Sequence, residues 1–200
     1  MKRFTIGIDE VGRGPLAGPV VVTALALWES IDLSKSGLSL RDSKKLTEHQ
    51  RTAWRAWIMS QPEIIHKTAY VYPKAIDRLN ISRAANLAAY RAYKKLIAVL
   101  SPSLKAKSYQ LKATLDGGLH LPKHIPHRTL VKADERFPAV SLASIIAKTS
   151  RDEAMRRLSH AFPTYGFEEH KGYGTAAHMK ALRTHGACEH HRLTFIRNIV

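Results

Sequence analysis

The chain predicts an α/β fold in which a central sheet is covered by helices. Three observations predict it: an apolar-alternating run at its start, a β-branched run directly after a glycine-rich turn, and two long helical stretches separated by strand-like segments. Residues 3–9 alternate through Phe4, Ile6 and Ile8 and read as the first strand. Residues 19–28, opening Pro19-Val20-Val21-Val22, read as the second, so the intervening glycines close a hairpin. Thr47 is placed to cap a helix that carries Trp54, Trp57 and Ile58 at helical spacing, which makes them core residues. Residues 64–72 (Ile64, Ile65, Val71) form a third strand before Pro73. From Asn80 to Leu100, small residues at helical spacing (Ala84, Ala85, Ala88, Ala89, Ala92) predict a long, closely packed helix that Ser101-Pro102 ends. Residues 109–116 return as a strand, a loop with Pro122 and Pro126 follows, and residues 138–159 form a second long helix behind Pro138.

Composition narrows the function before any motif is read. Two hundred residues with 44% apolar content suit one domain with a proper core. The formal net charge of +16, from 32 Lys and Arg against 16 acids, calls for an anionic partner, with nucleic acid ahead of a membrane surface. The apolar runs Val20 to Val22 and Ala24 to Trp28 are too short to span a bilayer, no signal-peptide pattern is evident, and a single cysteine, Cys188, cannot form an internal disulfide. These features predict a cytoplasmic protein without membrane association.

Four acids stand out against this basic background. Asp9 and Glu10 end the first strand, Asp116 ends a later one, and Asp134 follows Lys132-Ala133 in a loop. Acids held at strand ends and in loops of a polycation point to divalent metals bound against a polyanion. The glycine turn Gly12-Arg13-Gly14-Pro15-Leu16-Ala17 matches a dinucleotide fingerprint in letters only. That fingerprint must open a helix, whereas a β-branched run follows here; a P-loop fails because no Gly-Lys-Ser/Thr is present. What remains is either a turn that needs positive φ or one whose bare backbone approaches a ligand.

The run Ile8-Asp9-Glu10-Val11-Gly12-Arg13-Gly14-Pro15-Leu16-Ala17-Gly18-Pro19, with Asp42-Ser43-Lys44-Lys45-Leu46, Asn80-Ile81, Leu115-Asp116-Gly117, Lys132-Ala133-Asp134, Ala143-Ser144-Ile145-Ile146-Ala147-Lys148, Arg151-Asp152, Tyr165-Gly166-Phe167 and His170-Lys171-Gly172-Tyr173-Gly174-Thr175, closely resembles bacterial ribonuclease HII. The resemblance runs in order from residue 5 to about Phe195. It implies an RNase H-like fold with a central mixed sheet flanked by helices and a small helical C-terminal part, residues 160–200 serving substrate binding within a single catalytic domain. It implies an endonuclease that cuts 5′ of a ribonucleotide in RNA/DNA hybrids or in duplex DNA holding a single ribonucleotide. The products carry 3′-hydroxyl and 5′-phosphate ends, and the activity removes misincorporated ribonucleotides and RNA primers.

The same resemblance makes Asp9, Glu10, Asp116 and Asp134 the catalytic carboxylates holding two divalent ions, Mg²⁺ or Mn²⁺, with Asp9 placed to bridge them. It assigns the backbone of Gly12, Arg13 and Gly14, together with Tyr173, to reading the ribose 2′-hydroxyl, and Lys44, Lys45 and Lys171 to phosphate contacts. Lys148 and Asp152, four apart on a helix, suit an intrahelical pair as well as a substrate role. Two positions depart from the family pattern: Gly118 stands where Asn is common, and Ala133 where Gly is, which leaves the loop at Asp116 less defined. His120, His124, His127, His185, Cys188, His190 and His191 match no zinc spacing and read as a scattered histidine-rich surface. Leu193 to Val200 lacks the Gln that would lead a sliding-clamp peptide, so a clamp is only weakly supported, and the chain is expected to be monomeric. Two rival readings remain: a non-catalytic RNA-binding protein, which leaves the four acids unexplained, and another RNase H-like enzyme such as a resolvase or ribonuclease HIII, the latter usually carrying an extra N-terminal domain.

Overall fold

A computed structural model describes residues 4–40, 46–101 and 113–199. Five strands, β1 (Phe4–Val11), β2 (Val20–Trp28), β3 (Ile65–Val71), β4 (Ala113–Asp116) and β5 (His127–Leu130), form one mixed sheet in the order β3-β2-β1-β4-β5. The hairpin read from the glycine turn is present: β1 and β2 pair antiparallel from Phe4↔Trp28 to Val11↔Val21. On its other side β1 pairs parallel with β4 through Ile6↔Ala113, Gly7↔Thr114 and Ile8↔Leu115. One residue further along, that register sets Asp9 beside Asp116, so two acids leave the C-terminal ends of neighbouring parallel strands on one face.

Helices cover both faces. The long α3 (Ile81–Leu100) lies over Ile6, Ile8, Val20, Val22, Ala24 and Ala26, and its five small residues Ala84, Ala85, Ala88, Ala89 and Ala92 are fully buried. Alanines allow this helix to approach the sheet closely, as their spacing predicted. Leu25 and Leu27 face the other way, toward Trp54 and Ile58 of α1 (Glu48–Ser60) and Leu142, Ala143, Ile145 and Ile146 of α4 (Pro138–Ala161). Thr47 caps α1 with a full capping box: its hydroxyl accepts from Gln50 N, and Gln50 Oε1 accepts from Thr47 N. Asn80, at φ 68°, caps α3 by accepting from Arg83 N.

Gly7 is where α4 meets the sheet directly. A Cβ there would stand 2.2 Å from the backbone of Ala139, and no side-chain rotation relieves a clash with backbone. Gly7→Ala should therefore destabilise the protein by at least about 1–3 kcal/mol, the usual range for overpacking, read as a lower melting temperature. An unchanged melt would mean that α4 is free to move off the sheet.

The sequence reading missed two elements. Pro73 opens α2 (Pro73–Leu79) as well as ending the strand before it, because proline's fixed φ suits the first turn of a helix. β5 was read as loop; its residues His-Arg-Thr-Leu carry no apolar alternation, and β4 supplies the pairing. The second long helix runs two residues beyond its expected end, and residues 109–112 of the expected fourth strand lie outside the described residues.

Beyond α4 the chain forms a 3-10 turn at Pro163–Tyr165, then α5 (Phe167–His170), α6 (Ala176–His185) and α7 (Leu193–Ile196). These pack Tyr165 and Phe167 with Ala17 and Met155 in a third apolar cluster, and an isolated β-bridge joins Ala17 to His191. The expected histidine-rich surface is corrected at His191, which is buried; its neighbour His178 is buried as well.

Candidate active site

Asp9, Glu10 and Asp116 meet at the ends of β1 and β4, and Asp134 sits in the turn whose first residue, Ala133, bonds to Asp116. Asp9, on the α4 side of β1, is buried; its Oδ1 accepts from Glu10 N at 2.7 Å, and the Ser144 hydroxyl of α4 also hydrogen-bonds to it. Asp116 Oδ1 accepts from Ala133 N at 2.6 Å, and Ala133 opens the 3-10 turn Ala133–Glu135 that carries the buried Asp134. The Ser141 hydroxyl of α4 donates to the Asp134 carbonyl and ties this turn to the helix. Ala133 is itself fully buried. The departure from glycine thus leaves the amide contact to Asp116 in place.

Glu10 turns its Oε1 onto Arg13 Nε at 2.7 Å, while its Oε2 is buried without a hydrogen-bond partner. Burial, followed by repulsion from Glu10 and Asp116, holds the Asp9 carboxyl well above the usual carboxylate range. Burial also raises Glu10, with Arg13 opposing it and Asp116 adding to it. Among the described residues no three His, Cys, Asp or Glu side chains are already gathered around a cation position. The donor set nevertheless fits one. Hard carboxylate oxygens repel one another in a protein otherwise rich in cations, one of them is buried and unsatisfied, and a guanidinium already supplies positive charge beside Glu10.

The glycine loop beside these acids is held by two buried arginines. Arg192 donates to the carbonyls of Gly12 (2.6 Å), Arg13 (2.8 Å) and Gly18 (3.0 and 3.1 Å). Arg151 donates to Pro19 (3.0 Å), Ala17 (3.1 Å) and Lys171 (2.9 Å). Burial lowers their pKa values to about 9 and about 10, which still leaves both charged at neutral pH. Gly12 sits at φ 90°, and a Cβ there would stand 2.3 Å from Arg151 Nε, so the turn needs glycine both for its conformation and for the arginine against it.

Tyr173 is 44% exposed, and its ring edge lies 3.8 Å from where a Gly14 Cβ would stand. The structure thus brings Gly12, Arg13, Gly14 and Tyr173 together beside the carboxylates. At Gly118 a Cβ would lie 3.6 Å from the Arg13 guanidinium, an ordinary contact, so this departure from the family pattern is set by neither space nor backbone conformation. Lys171 is placed differently from a free phosphate ligand, because its Nζ donates to the Glu168 carbonyl at 2.7 Å. Lys44 and Lys45 lie outside the described residues. Lys148 and Asp152 form the intrahelical pair, at 2.7 Å. The sequence reading missed the roles of Arg151, Arg192, Ser144 and His178. For the arginines no local signal exists, since their partners are carbonyls remote in sequence.

A five-stranded mixed sheet in this order, with acids at the ends of its parallel pair, defines the class: an RNase H-like α/β fold shared with solved ribonucleases. The chain aligns over 96% of its length, and 94% of the other, with RNase HII in the PCNA:RNase HII complex from Archaeoglobus fulgidus, at TM-score 0.71 and 26% identity. It matches the fold of Bst-RNase HIII solved in complex with Mn²⁺ at TM-score 0.67 and 22% identity, over 92% of this chain and 63% of that one. The family described as Ribonuclease HII matches residues 6–198, and Ribonuclease HII from Chlamydia caviae is 41% identical over 97% of this chain and 85% of the relative. The chain belongs to the ribonuclease HII family and is an endonuclease of the ribonuclease H type 2 class.

Proposed function

We propose that Asp9, Glu10, Asp116 and Asp134 hold two divalent cations, Mg²⁺ or Mn²⁺, at which the phosphodiester 5′ of a ribonucleotide is hydrolysed. The observation that carries this reading is the juxtaposition of Asp9, Glu10 and Asp116 at one end of the sheet, with Glu10 Oε2 buried and unsatisfied and the Asp134 turn bonded to Asp116 through Ala133 N. When bound, such a metal pair supplies a deprotonated water in line with the phosphorus and charge stabilisation on the leaving oxygen. The protein's own groups prepare for this. Glu10 N and Ser144 orient Asp9, Ala133 N orients Asp116, and Ser141 fixes the turn that presents Asp134. A protein cation beside Glu10, Arg13, keeps that carboxylate from full repulsion in the metal-free state.

Gly12, Arg13 and Gly14 present backbone to the substrate, and Tyr173 lies against Gly14, where its hydroxyl reaches the 2′-OH that distinguishes RNA from DNA. Substrates are RNA/DNA hybrids and duplex DNA holding a ribonucleotide, bound by one chain, with residues beyond 160 supplying Tyr173. Lys44 and Lys45 add phosphate contacts, and Lys171 joins them by giving up its contact with the Glu168 carbonyl. A sliding-clamp contact is weakly supported: in α7 Ile196 is buried and Phe195 packs against the core, which leaves Leu193 as the exposed apolar residue. The test is nicking of a duplex with one embedded ribonucleotide against the same duplex in all-DNA form. Cleavage of the first alone, with Mn²⁺ and not with EDTA, is expected; equal cleavage of both would remove ribose recognition from the reading.

Charge sets a second expectation. With roughly five to eight phosphate contacts and a slope of about −0.9 for each, duplex affinity should fall by roughly 10⁴-fold to 10⁷-fold for a tenfold rise in salt, with little dependence on sequence. Binding isotherms over a salt series measure this. A nearly flat dependence would assign the positive charge to another partner.

A further inference from the structure

Gly14 and Tyr173 belong to segments far apart in the chain, yet they must stand together to read one ribose. Both are gripped by the same tripeptide, His190-His191-Arg192. On one side, the His190 carbonyl accepts from Gly18 N at 2.9 Å, Arg192 N donates to the Leu16 carbonyl at 2.8 Å, and the Arg192 guanidinium holds the Gly12 and Arg13 carbonyls. On the other side, His191 Nε2 lies 3.0 Å from His178 Nε2, and His178 Nδ1 lies 2.9 Å from the Tyr173 carbonyl.

The proton positions follow from the neighbours. The Tyr173 carbonyl can only accept, so His178 Nδ1 carries the hydrogen and its Nε2 is an acceptor in the neutral ring. His191 must then donate from Nε2, which leaves its Nδ1 to accept from Cys188 N at 3.0 Å; the Cys188 thiol, at 3.2 Å, also faces that nitrogen. The Cys188 carbonyl is farther, at 3.3 Å, and would suit only the opposite tautomer. Every contact in the chain Cys188 N–H, His191, His178, Tyr173 C=O thus points one way. Burial lowers the pKa of both imidazoles, His191 to about 4, so the pair is neutral at neutral pH, as the relay requires.

His170 stacks on His178 at 4.4 Å between ring centres, accepts from Gly172 N and hydrogen-bonds the Tyr165 carbonyl. Thr175 N takes the second lone pair of the Tyr173 carbonyl at 2.8 Å. The Tyr173 carbonyl is therefore held by Thr175 N at the cap of α6 and by His178 within α6, and His178 in turn accepts from the tripeptide that also holds the glycine loop.

We propose that His178 and His191 are positioning residues for Tyr173, a directional hydrogen-bond relay that sets the tyrosine in register with Gly12-Arg13-Gly14. The inference rests on the reading of Tyr173 as a ribose-facing residue. Its test is a double-mutant cycle on the embedded-ribonucleotide duplex. His178→Phe keeps the ring and its stacking but cannot donate, and should lower kcat about tenfold while KM stays within about twofold. His178→Asn, which can still donate from the Nδ1 position, should recover most of that loss. In a Tyr173→Ala background His178→Phe should change kcat by less than about twofold, because the group it positions is gone.

A full tenfold loss in that background would overturn the relay while leaving the ribose reading intact. Wild-type turnover by Tyr173→Ala alone would instead overturn the ribose reading. If His178→Phe does not fold, nitrogen-15 NMR of the wild-type imidazoles decides. The relay requires His178 protonated at Nδ1 and His191 at Nε2 at pH 7, and the reverse tautomers would exclude it.

Discussion

Asp9→Asn and Asp116→Asn are each expected to abolish nicking, by at least roughly a thousandfold, while leaving duplex affinity nearly intact. The stability consequence separates this reading from a structural one. Burial, with repulsion from Glu10 and Asp116, holds the Asp9 carboxyl above its unfolded value. A carboxylate with a raised folded pKa contributes stability that is fully present below the unfolded value, near 3.8, and is lost as pH rises through the folded one. At pH 7 in EDTA, wild type has therefore lost part or all of that contribution, whereas Asp9→Asn, which does not titrate, has not.

The mutant should melt as high as wild type or higher in EDTA, because asparagine keeps the Oδ1 that accepts from Glu10 N. Bound Mn²⁺ should restore wild type by about 2.7 kcal/mol at a hundredfold excess over its dissociation constant, and the mutant by less. Thermal melts with and without metal, run beside nicking, measure both. A mutant that melts well below wild type in EDTA, or cuts normally, would make Asp9 a structural hydrogen-bond acceptor. Asp116→Asn likewise keeps the acceptor for Ala133 N, so its loss should also be catalytic.

Tyr173→Ala is the second large effect. The side chain is 44% exposed, so its removal should cost little stability. Phosphate contacts dominate affinity, whereas the tyrosine aligns the scissile linkage; turnover should fall by roughly tenfold to a hundredfold, with duplex affinity changed by less than about twofold. Tyr173→Phe should keep the packing against Gly14 and lose only what the hydroxyl reads. Single-turnover rates and binding isotherms for both variants are the measurement. An unchanged rate with weakened binding would place Tyr173 in the groove wall and outside the reacting centre.

Different parts of this architecture were legible in the sequence for different physical reasons. β1, β2 and α3 carry their periodicity locally, in Phe4-Ile6-Ile8, in Val20-Val21-Val22 and in the alanines of α3, so they could be read without tertiary information. β5 could not, because four polar-leaning residues become a strand only through pairing with β4. The carboxylates were legible as a motif, and the parallel register at Ile8↔Leu115 explains why acids so far apart in sequence meet. The groups supporting the site were not. Arg192 and Arg151 look like two of many surface cations until they are found buried against loop carbonyls. His191 read as part of a polar surface for the same reason: burial of a histidine depends on a partner such as His178, which no local pattern announces.

The most direct test of the central claim is a nucleotide-resolution map of cleavage on a duplex holding one ribonucleotide, with Mg²⁺ or Mn²⁺ and with the ends identified chemically. The account predicts a single cut on the 5′ side of the ribonucleotide, leaving a 3′-hydroxyl and a 5′-phosphate, and no cut in EDTA. Cleavage on its 3′ side, products with a 2′,3′-cyclic phosphate, or undiminished cleavage in EDTA would show that the 2′-hydroxyl is attacking and not being read. Any of these results would contradict a site built from Asp9, Glu10, Asp116 and Asp134.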